Sequence, residues 1–153
     1  MARAIFYLAV LITSTVFGQN DKKKQVKATV DTFFEGFHKG DTTLLKSAMM
    51  DKMILQTVYI DKNGKTILKT EKPEKLINAI ANRPENQKWD ERLLDYNIQI
   101  DGNMANAWTS YEFWFNNEFS HCGVNSFQLF KDGEQWKIIY LIDTRRREGC
   151  NVN

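Results

Sequence analysis

His121 and Tyr111 are the residues of this 153-residue chain whose types and predicted placement could support acid–base chemistry. A neutral imidazole can accept a proton near neutral pH, and a phenol can donate to a developing oxyanion. We therefore predict His121 as a general base and Tyr111 as its proton donor or oxyanion partner. The alternative for His121 is a hydrogen-bonded or solvated histidine at a strand end. His38 is predicted as a favourable charge at a helix C-terminus.

Five further residues are candidates for holding a ligand beside that pair. They combine aromatic surface with hydrogen-bonding groups, which is the mixture that small-molecule pockets need. We expect the ligand to be small and apolar or aromatic. The predicted ligand-binding residues are Phe37, Tyr59, Phe113, Asn125 and Tyr140.

Other classes of site lack support in the sequence. Two cysteines and two distant histidines are too few ligands for a zinc site, so we expect no metal and no cofactor. No phosphate-binding loop, nucleophile elbow or metal-binding helix pair is present. The net charge of +2 is too small to argue for a nucleic-acid partner.

Three turns must arrange the strands that carry these residues. Asp101-Gly102 and Asp132-Gly133 are typical of two-residue hairpin loops, and Asn116 to Glu118 is predicted as a three-residue loop. These loops connect consecutive strands of an antiparallel meander, so they also set which residues lie opposite one another.

The pairing places one mostly apolar face under the helices. Phe113 lies opposite His121 and Asn125 lies opposite Tyr140 in this prediction. The predicted inner face comprises Ala105, Ala107, Thr109, Tyr111, Phe113, His121, Gly123, Asn125, Phe127, Leu129, Trp136, Ile138, Tyr140 and Ile142. A β-bulge would reverse the alternation, and it would bring Asp143 and Arg145 into the cavity in exchange for His121 and Thr144.

The opposite face of the meander carries apolar residues that ordinary solvent-facing strands avoid. They are Trp108, Trp114, Ile139 and Leu141. An apolar outer face suggests a partner surface, and we predict a homodimer packed sheet to sheet. Cover by the tail or a loop is the alternative.

Helical patterns precede the meander. Apolar residues recur at helical spacing from Val26 to Phe37, and Gly40 ends that helix. A second helix is predicted from Thr42 to about Met50, followed by a hairpin around Asn63-Gly64 and a short helix over about Pro73 to Asn82. The order of elements predicts an α+β fold, with helices on one face of a strongly curved sheet.

The N-terminus predicts export. Residues 1–18 combine a basic start with an apolar run too short to span a bilayer comfortably, which is typical of a signal peptide cleaved after Gly18. The mature chain, 19–153, is then one domain, periplasmic or secreted, without a stable membrane anchor. An uncleaved N-terminal anchor is the alternative.

Export places the two cysteines in an oxidising compartment. Cys122 and Cys150 are predicted to form one disulfide that ties the C-terminal tail to the sheet. Free thiols or an intermolecular bond are the alternatives.

The chain resembles the nuclear transport factor 2-like superfamily from Val26 to Arg147. The resemblance rests on the aromatic first helix, the Gly40-Asp41 corner and the terminal W-x-I strand at Trp136. The segment from Gly123 to Arg146 looks particularly like the exported subgroup described as putative lumazine-binding. The resemblance implies a cone-like, SnoaL-like domain, in which a curved mixed or antiparallel sheet wraps around N-terminal helices.

The catalytic sets of that superfamily are incomplete on the predicted inner face. Ketosteroid isomerase-like chemistry needs a carboxylate base and a phenol, and only Tyr111 or Tyr59 is available. Scytalone dehydratase-like chemistry pairs histidine with a carboxylate, yet Asp143 lies on the other predicted face from His121.

We therefore expect an exported small-molecule-binding protein. One alternative is a small cofactor-independent isomerase, dehydratase or cyclase that uses His121 as general base. A non-catalytic homodimeric interaction module with a filled core is another.

Overall fold

Three helices and one curved, unclosed sheet of seven strands form the part of the chain that the structure describes, and they confirm the predicted α+β fold. The structure is a computed structural model. It describes the backbone of residues 2–150 and the side chains of residues 19–150. The elements are α1 (Ala2–Lys39), α2 (Thr42–Ser47), β1 (Met49–Ile60), β2 (Thr66–Glu71), α3 (Pro73–Ala81), β3 (Trp89–Leu93), β4 (Asn97–Asp101), β5 (Met104–Phe115), β6 (Glu118–Asp132) and β7 (Gln135–Arg145).

The sheet has the order β2-β1-β7-β6-β5-β3, and β4 pairs with β5 after β3 ends. All neighbours are antiparallel except β1 and β7, which run parallel and make the sheet mixed. The inner face packs on α1. Phe33 and Phe34 meet Phe127 of β6 edge to face, with ring centroids 6.1 and 6.0 Å apart.

A tight corner between α1 and α2 sets the angle of the helices over the sheet. Gly40 ends α1 with φ of 74°, a left-handed conformation that glycine adopts without strain. The Asp41 carboxylate then caps α2 by accepting the backbone N–H groups of Thr43 and Leu44, each at 2.9 Å. The helix is shorter than predicted, because β1 begins at Met49.

Residues 89–101 form two short strands, β3 and β4, with a break at residues 94–96. The Asp95 carboxylate accepts the backbone N–H of Ser110 at 2.7 Å, so it replaces a ladder bond in the break. Tyr96 then donates its hydroxyl to Asp31 of α1 at 2.6 Å. The break lets β5 pair with two short strands in succession.

The hairpin turns preserve most of the predicted inner face. Two loops lie one residue later than predicted, since Asp101 pairs with Met104 and Asp132 pairs with Gln135. Each displacement shifts the pairing by two residues, so the same side chains still face inward. The third loop is a two-residue turn, but a bulge between Phe113 and the next pair restores the predicted pairing with His121.

A bulge in β7 overturns the prediction for the end of that strand. Leu129 pairs with Ile138, whereas Gln128 pairs with Tyr140, so Ile139 is an extra residue. The predicted pairing of Asn125 with Tyr140 is wrong: Asn125 pairs with Asp143.

Beyond this bulge, the side chains that face inward are the ones predicted to face outward. Leu141 and Asp143 are buried, and Arg145 lines the cavity beside them. Leu141 therefore does not belong to the outer face. Thr144 turns away and accepts the backbone N–H of Val124 at 3.1 Å. His121 still faces inward, because the bulge lies in β7 and does not change which side chains of β6 face the helices.

The outer face is partly covered. Trp108 and Ile139 are 51% and 38% exposed. Trp114 is half-buried, because the Arg92 guanidinium lies 4.2 Å from its ring centroid and Phe119 packs on its edge.

The C-terminal segment covers the other end of this face. Cys122 and Cys150 form the predicted disulfide, with Cα atoms 5.9 Å apart. Arg146 adds two backbone hydrogen bonds to Cys122, each 2.9 Å long. The tail is therefore fastened to β6 by covalent and hydrogen bonds.

The predicted signal peptide, residues 1–18, lies outside the described side chains, and its cleavage remains a prediction. Within the residues that the structure describes, none of the helices combines the length and apolarity needed to span a membrane.

We expect the disulfide to stabilise the fold by about 3 kcal/mol, because it closes a loop of 28 residues in the unfolded chain. Replacing both cysteines by serine should lower the free energy of unfolding by about that amount, measured by urea denaturation at neutral pH. The wild-type chain under reducing conditions should match the variant. Equal stability of the oxidised wild type and the variant would contradict this expectation.

Candidate functional site

A cavity of about 490 Å³ lies between the helices and the inner face of the sheet. Such a volume is typical of small-molecule sites. Its walls are largely aromatic and aliphatic: Phe33, Phe34, Phe37, Leu55, Leu76, Ala79, Trp89, Phe113, Phe115 and Leu141. Polar residues complete the lining: Thr57, Lys69, Glu71, Lys75, Gln87, Glu91, His121, Asn125, Asp143 and Arg145.

A row of polar residues crosses four strands at one level of the cavity. Lys69 of β2 pairs with Thr57 of β1, Thr57 pairs with Asp143 of β7, and Asp143 pairs with Asn125 of β6. Paired residues point to the same face of a sheet, so all four side chains are directed inward. The row depends on the bulge at Ile139, which brings Asp143 into phase with its neighbours.

Asp143 is the centre of a hydrogen-bond network. Its side chain is only 8% exposed. Thr57 donates its hydroxyl to Oδ1 at 2.6 Å, and Arg145 donates Nε–H to Oδ2 at 2.8 Å. A buried carboxylate needs such partners to offset the loss of water.

Tyr111 lies behind the cavity wall and is almost fully buried. Its hydroxyl is 2.9 Å from the Thr144 carbonyl oxygen and 3.3 Å from Asp143 Oδ2. Burial and then the charge of Glu91 raise the pKa of the phenol above its ordinary value. Tyr111 therefore holds the network in place as a neutral group, and it is not among the residues that line the cavity.

Gly123 makes room for this arrangement. A Cβ atom at this position would lie 1.8 Å from the Thr144 carbonyl oxygen and 2.8 Å from Tyr111 Cε1. No side chain larger than hydrogen fits there without moving β7 or the tyrosine ring.

His121 lines the cavity. Its ring packs at a tilt against the ring of Phe113, with the two ring centroids 5.0 Å apart. Its Nδ1 is 3.1 Å from the Ser120 hydroxyl. Burial, and after it the positive charge of Arg145, lowers the pKa of His121 to about 4. The imidazole is therefore neutral at neutral pH and is a weak base.

Glu91 is a cavity residue that our sequence analysis missed. Its Oε1 accepts a hydrogen bond from Asn125 Nδ2 at 2.7 Å. Burial raises the pKa of this carboxyl to about 7, and the negative charge of Asp143 acts in the same direction. Protein encloses most of the carboxyl, while the residue as a whole is half-buried because one side faces the cavity.

His38 fixes the backbone of Glu91. Its Nε2 accepts the Glu91 N–H at 2.9 Å, so the end of α1 is joined to β3 at that residue. Burial lowers the pKa of His38, which favours the neutral ring that can accept this hydrogen bond. The histidine therefore does not act as the helix-end charge that we predicted.

The structure brings together some of the predicted ligand-binding residues. Phe37, Phe113 and Asn125 line the cavity. Tyr140 lies on the outer face, where its hydroxyl donates to Gln56 at 2.5 Å. Tyr59 is near the end of β1, paired with Arg145, and it is not among the lining residues.

Glu91, Asp143 and Arg145 line the cavity although we did not place them there, and the sequence indicates this for Glu91 only. In Trp89–Leu93, Glu91 lies in phase with the apolar Trp89 and Leu93, which is an unusual position for a carboxylate. Asp143 and Arg145 were expected inside only with a bulge, and no residue type near Ile139 marks one.

No group of three or more histidine, cysteine, aspartate or glutamate residues is arranged to hold a metal ion in the region that the structure describes. The polar groups that line the cavity are carboxyl, guanidinium, ammonium, hydroxyl, amide and imidazole groups.

A family model described as Putative lumazine-binding matches residues 21–140. The chain belongs to the Putative lumazine-binding family. No curated protein matches this chain in sequence.

Solved structures place the family member in the nuclear transport factor 2-like fold. A protein of unknown function from Mycobacterium tuberculosis is 14% identical with a TM-score of 0.68, over 88% of this chain and 77% of that one. An NTF2-like protein from Cytophaga hutchinsonii is 14% identical with a TM-score of 0.63, over 81% and 98%. A "putative dehydratase" of the NTF2-like family from Streptomyces avermitilis is 13% identical with a TM-score of 0.59, over 84% and 98%. At these identities the likeness concerns the fold.

We expect Glu91→Gln to stabilise the protein at alkaline pH. The folded-state pKa of about 7 lies above the ordinary value of 4.5, so the unfolded chain loses this proton first and stability falls as the pH rises through that window. The variant should gain on the order of 1 to 3 kcal/mol at pH 8 and almost nothing at pH 4 in urea unfolding.

Glu118→Gln provides the control, because Glu118 is exposed at the start of β6. It should leave stability nearly unchanged at both pH values. A gain for Glu91→Gln that is equal at pH 4 and pH 8 would mean that the proton of Glu91 is not its cause.

Proposed function

We propose that this protein is exported and binds a small, flat, largely apolar ligand in the cavity between its helices and its sheet. The observation that carries the proposal is the form of the cavity: aromatic and aliphatic walls beside a row of polar groups that crosses four strands. Apolar walls supply most of the binding free energy of such a site, and the few polar groups orient the ligand.

The aromatic side chains favour a flat ring system as the ligand. Phe37 packs against both Trp89 and Phe113, with ring centroids 5.8 and 6.4 Å apart, so the three form one aromatic wall. Offset or edge-to-face packing on such a wall adds to simple burial of area. The family description names lumazine, a heteroaromatic compound of this general shape.

Two features support export. The apolar run and small residues within 1–18 have the pattern of a cleaved signal peptide. The Cys122–Cys150 disulfide is a bond that persists in oxidising compartments. These two features together support a periplasmic or secreted location.

A catalytic role is the second candidate, as a cofactor-independent isomerase, dehydratase or cyclase. Glu91 and Asp143 supply the cavity carboxylates that our predicted inner face lacked. Glu91, with a pKa of about 7, suits proton transfer near neutral pH better than His121 does. An interaction module with a filled core does not account for the cavity.

We also propose that the outer face of the sheet mediates a homodimer. Trp108 and Ile139 expose apolar surface on β5 and β7, and Ile54 of β1 is 51% exposed nearby in the strand order. The disulfide-bonded tail covers only the far end of this face, so these residues stay available for a second copy.

Blocking the cavity should abolish ligand binding without unfolding the protein. Ala79 is exposed on α3 and lines the cavity, so Ala79→Trp places an indole in the opening. Nile red, a neutral dye that fluoresces in apolar sites, should bind the wild-type mature chain and bind the variant at least about tenfold more weakly.

Ala81→Trp is the matched control, since Ala81 ends the same helix and is exposed but does not line the cavity. It should bind Nile red like the wild type. If both tryptophan variants bind the dye normally, the dye site and the cavity are different. As a test that does not depend on the dye, mass spectrometry of protein purified from its native host should detect the natural ligand in the wild type and its loss in Ala79→Trp.

Light scattering after size-exclusion chromatography tests the homodimer. The wild type should elute at twice the monomer mass, and Trp108→Glu should elute as a monomer, because a carboxylate would be desolvated at the interface. Leu94→Glu is the control, since Leu94 is 56% exposed in the break between β3 and β4. A monomeric wild type would contradict the proposal.

A further inference from the structure

We propose that the cavity selects organic anions, and that a carboxylate or similarly acidic oxygen of the ligand lies between Arg145 and the carboxyl group of Glu91. The inference rests on the proposed ligand-binding function and adds the charge of the ligand to it. Arg145 supplies the positive charge, Glu91 supplies a hydrogen-bond donor, and the aromatic wall holds the body of the ligand.

The charges that line the cavity favour an anion. Three cations, Lys69, Lys75 and Arg145, line it together with three carboxyl groups. Glu71 is shared by the two lysines, at 2.8 and 2.6 Å. When Glu91 is protonated, one positive charge is left without a counterpart, and a bound anion would balance it.

Arg145 has donors to offer. Its Nε–H is committed to Asp143, and its Nη2 makes only a long contact of 3.4 Å with Thr57. Among the residues that the structure describes, Nη1 of Arg145 makes no hydrogen bond. The side chain is 53% exposed although it lines the cavity, so a ligand can reach the guanidinium. Planar guanidinium donors match the geometry of a carboxylate.

Glu91 presents one oxygen to the ligand. Asn125 occupies Oε1, and Oε2 has no hydrogen-bond partner among the described residues. Among the described residues only Trp136 Nε1 is both fully buried and unpartnered, so Oε2 is not fully enclosed by protein, and Glu91 belongs to the cavity lining. A protonated Oε2 can donate to an anion, whereas an ionised carboxylate would repel it.

The charged and titratable groups around Glu91 define the pH dependence. They are Asp143 and Arg145 from β7, His121 from β6, Tyr111 from β5, His38 from α1 at the backbone, and Asp90 and Arg92 on β3 itself. His121 changes charge near pH 4 and Glu91 near pH 7, so the two transitions are separable. Binding that weakens above pH 7 therefore reports on Glu91.

Three probes of similar shape test the selectivity: 2-naphthoate, 2-naphthamide and 2-naphthylmethylammonium. Their affinities are measured by titration calorimetry on the mature, disulfide-bonded chain. At pH 6 we expect 2-naphthoate to bind at least about tenfold more tightly than the neutral amide, and the cation to bind most weakly. Its affinity should then fall by up to about tenfold per pH unit above pH 7, as Glu91 ionises.

Two variants assign the effect to residues. Glu91→Gln keeps a permanent N–H donor, so it should bind 2-naphthoate with nearly the same affinity from pH 6 to pH 9. The double variant Asp143→Asn with Arg145→Gln removes both charges of the ion pair at once, so that neither charge is left without its partner. It should lose the preference for 2-naphthoate over the amide while still binding the amide.

Arg147→Gln is the control, because Arg147 is exposed and does not line the cavity. It should retain both the preference and the pH dependence. Binding of the amide or the cation as tightly as 2-naphthoate would overturn the anion selectivity and leave the proposed ligand binding intact. A pH dependence unchanged in Glu91→Gln would overturn the role of Glu91. If none of the three probes binds, the anion site and the proposed function both fail.

Discussion

One extra residue in β7 decides the character of the cavity. Ile139 forms a bulge against Gln128, and every side chain beyond it changes face. Without the bulge, Asp143 and Arg145 would be on the outer surface and the cavity would lose its central network. With it, a carboxylate and a guanidinium enter the cavity beside its aromatic and aliphatic walls. The remaining polar groups are arranged around this pair.

The burial of the Asp143 carboxylate, with Arg145 half-exposed beside it, is poorly explained by stability alone. Bringing charges out of water costs several kcal/mol per ion, and even well-bonded buried pairs rarely stabilise more than apolar residues of the same volume. Here Asp143 is held by Thr57 and Arg145, while Tyr111 fixes the adjacent backbone of β7 through Thr144. Gly123 is required so that the tyrosine ring can lie across β6. Such preparation of a polar site is more readily understood as serving a ligand.

Desolvation then separates the titrations of the two groups that could exchange protons in the cavity. Burial penalises whichever form is charged, so it raises the pKa of Glu91 to about 7 and lowers the pKa of His121 to about 4. The residue that looked most suited to acid–base chemistry from its type is therefore the weaker base. The carboxyl, ordinarily ionised, changes charge near neutral pH. Asn125 and His38 hold it in position from its side chain and its backbone.

The sequence alone determined the fold class, the Gly40-Asp41 corner, the disulfide and the inner face of the sheet as far as Ile138. These features follow from local signals: apolar periodicity, turn residues with left-handed backbone, and a single pair of cysteines. Only the tertiary structure decided the end of β7 and the place of Glu91. A bulge has no obligatory residue type, so its position depends on the packing of whole strands. A pKa depends on the neighbours that exclude water, and those neighbours are distant in sequence.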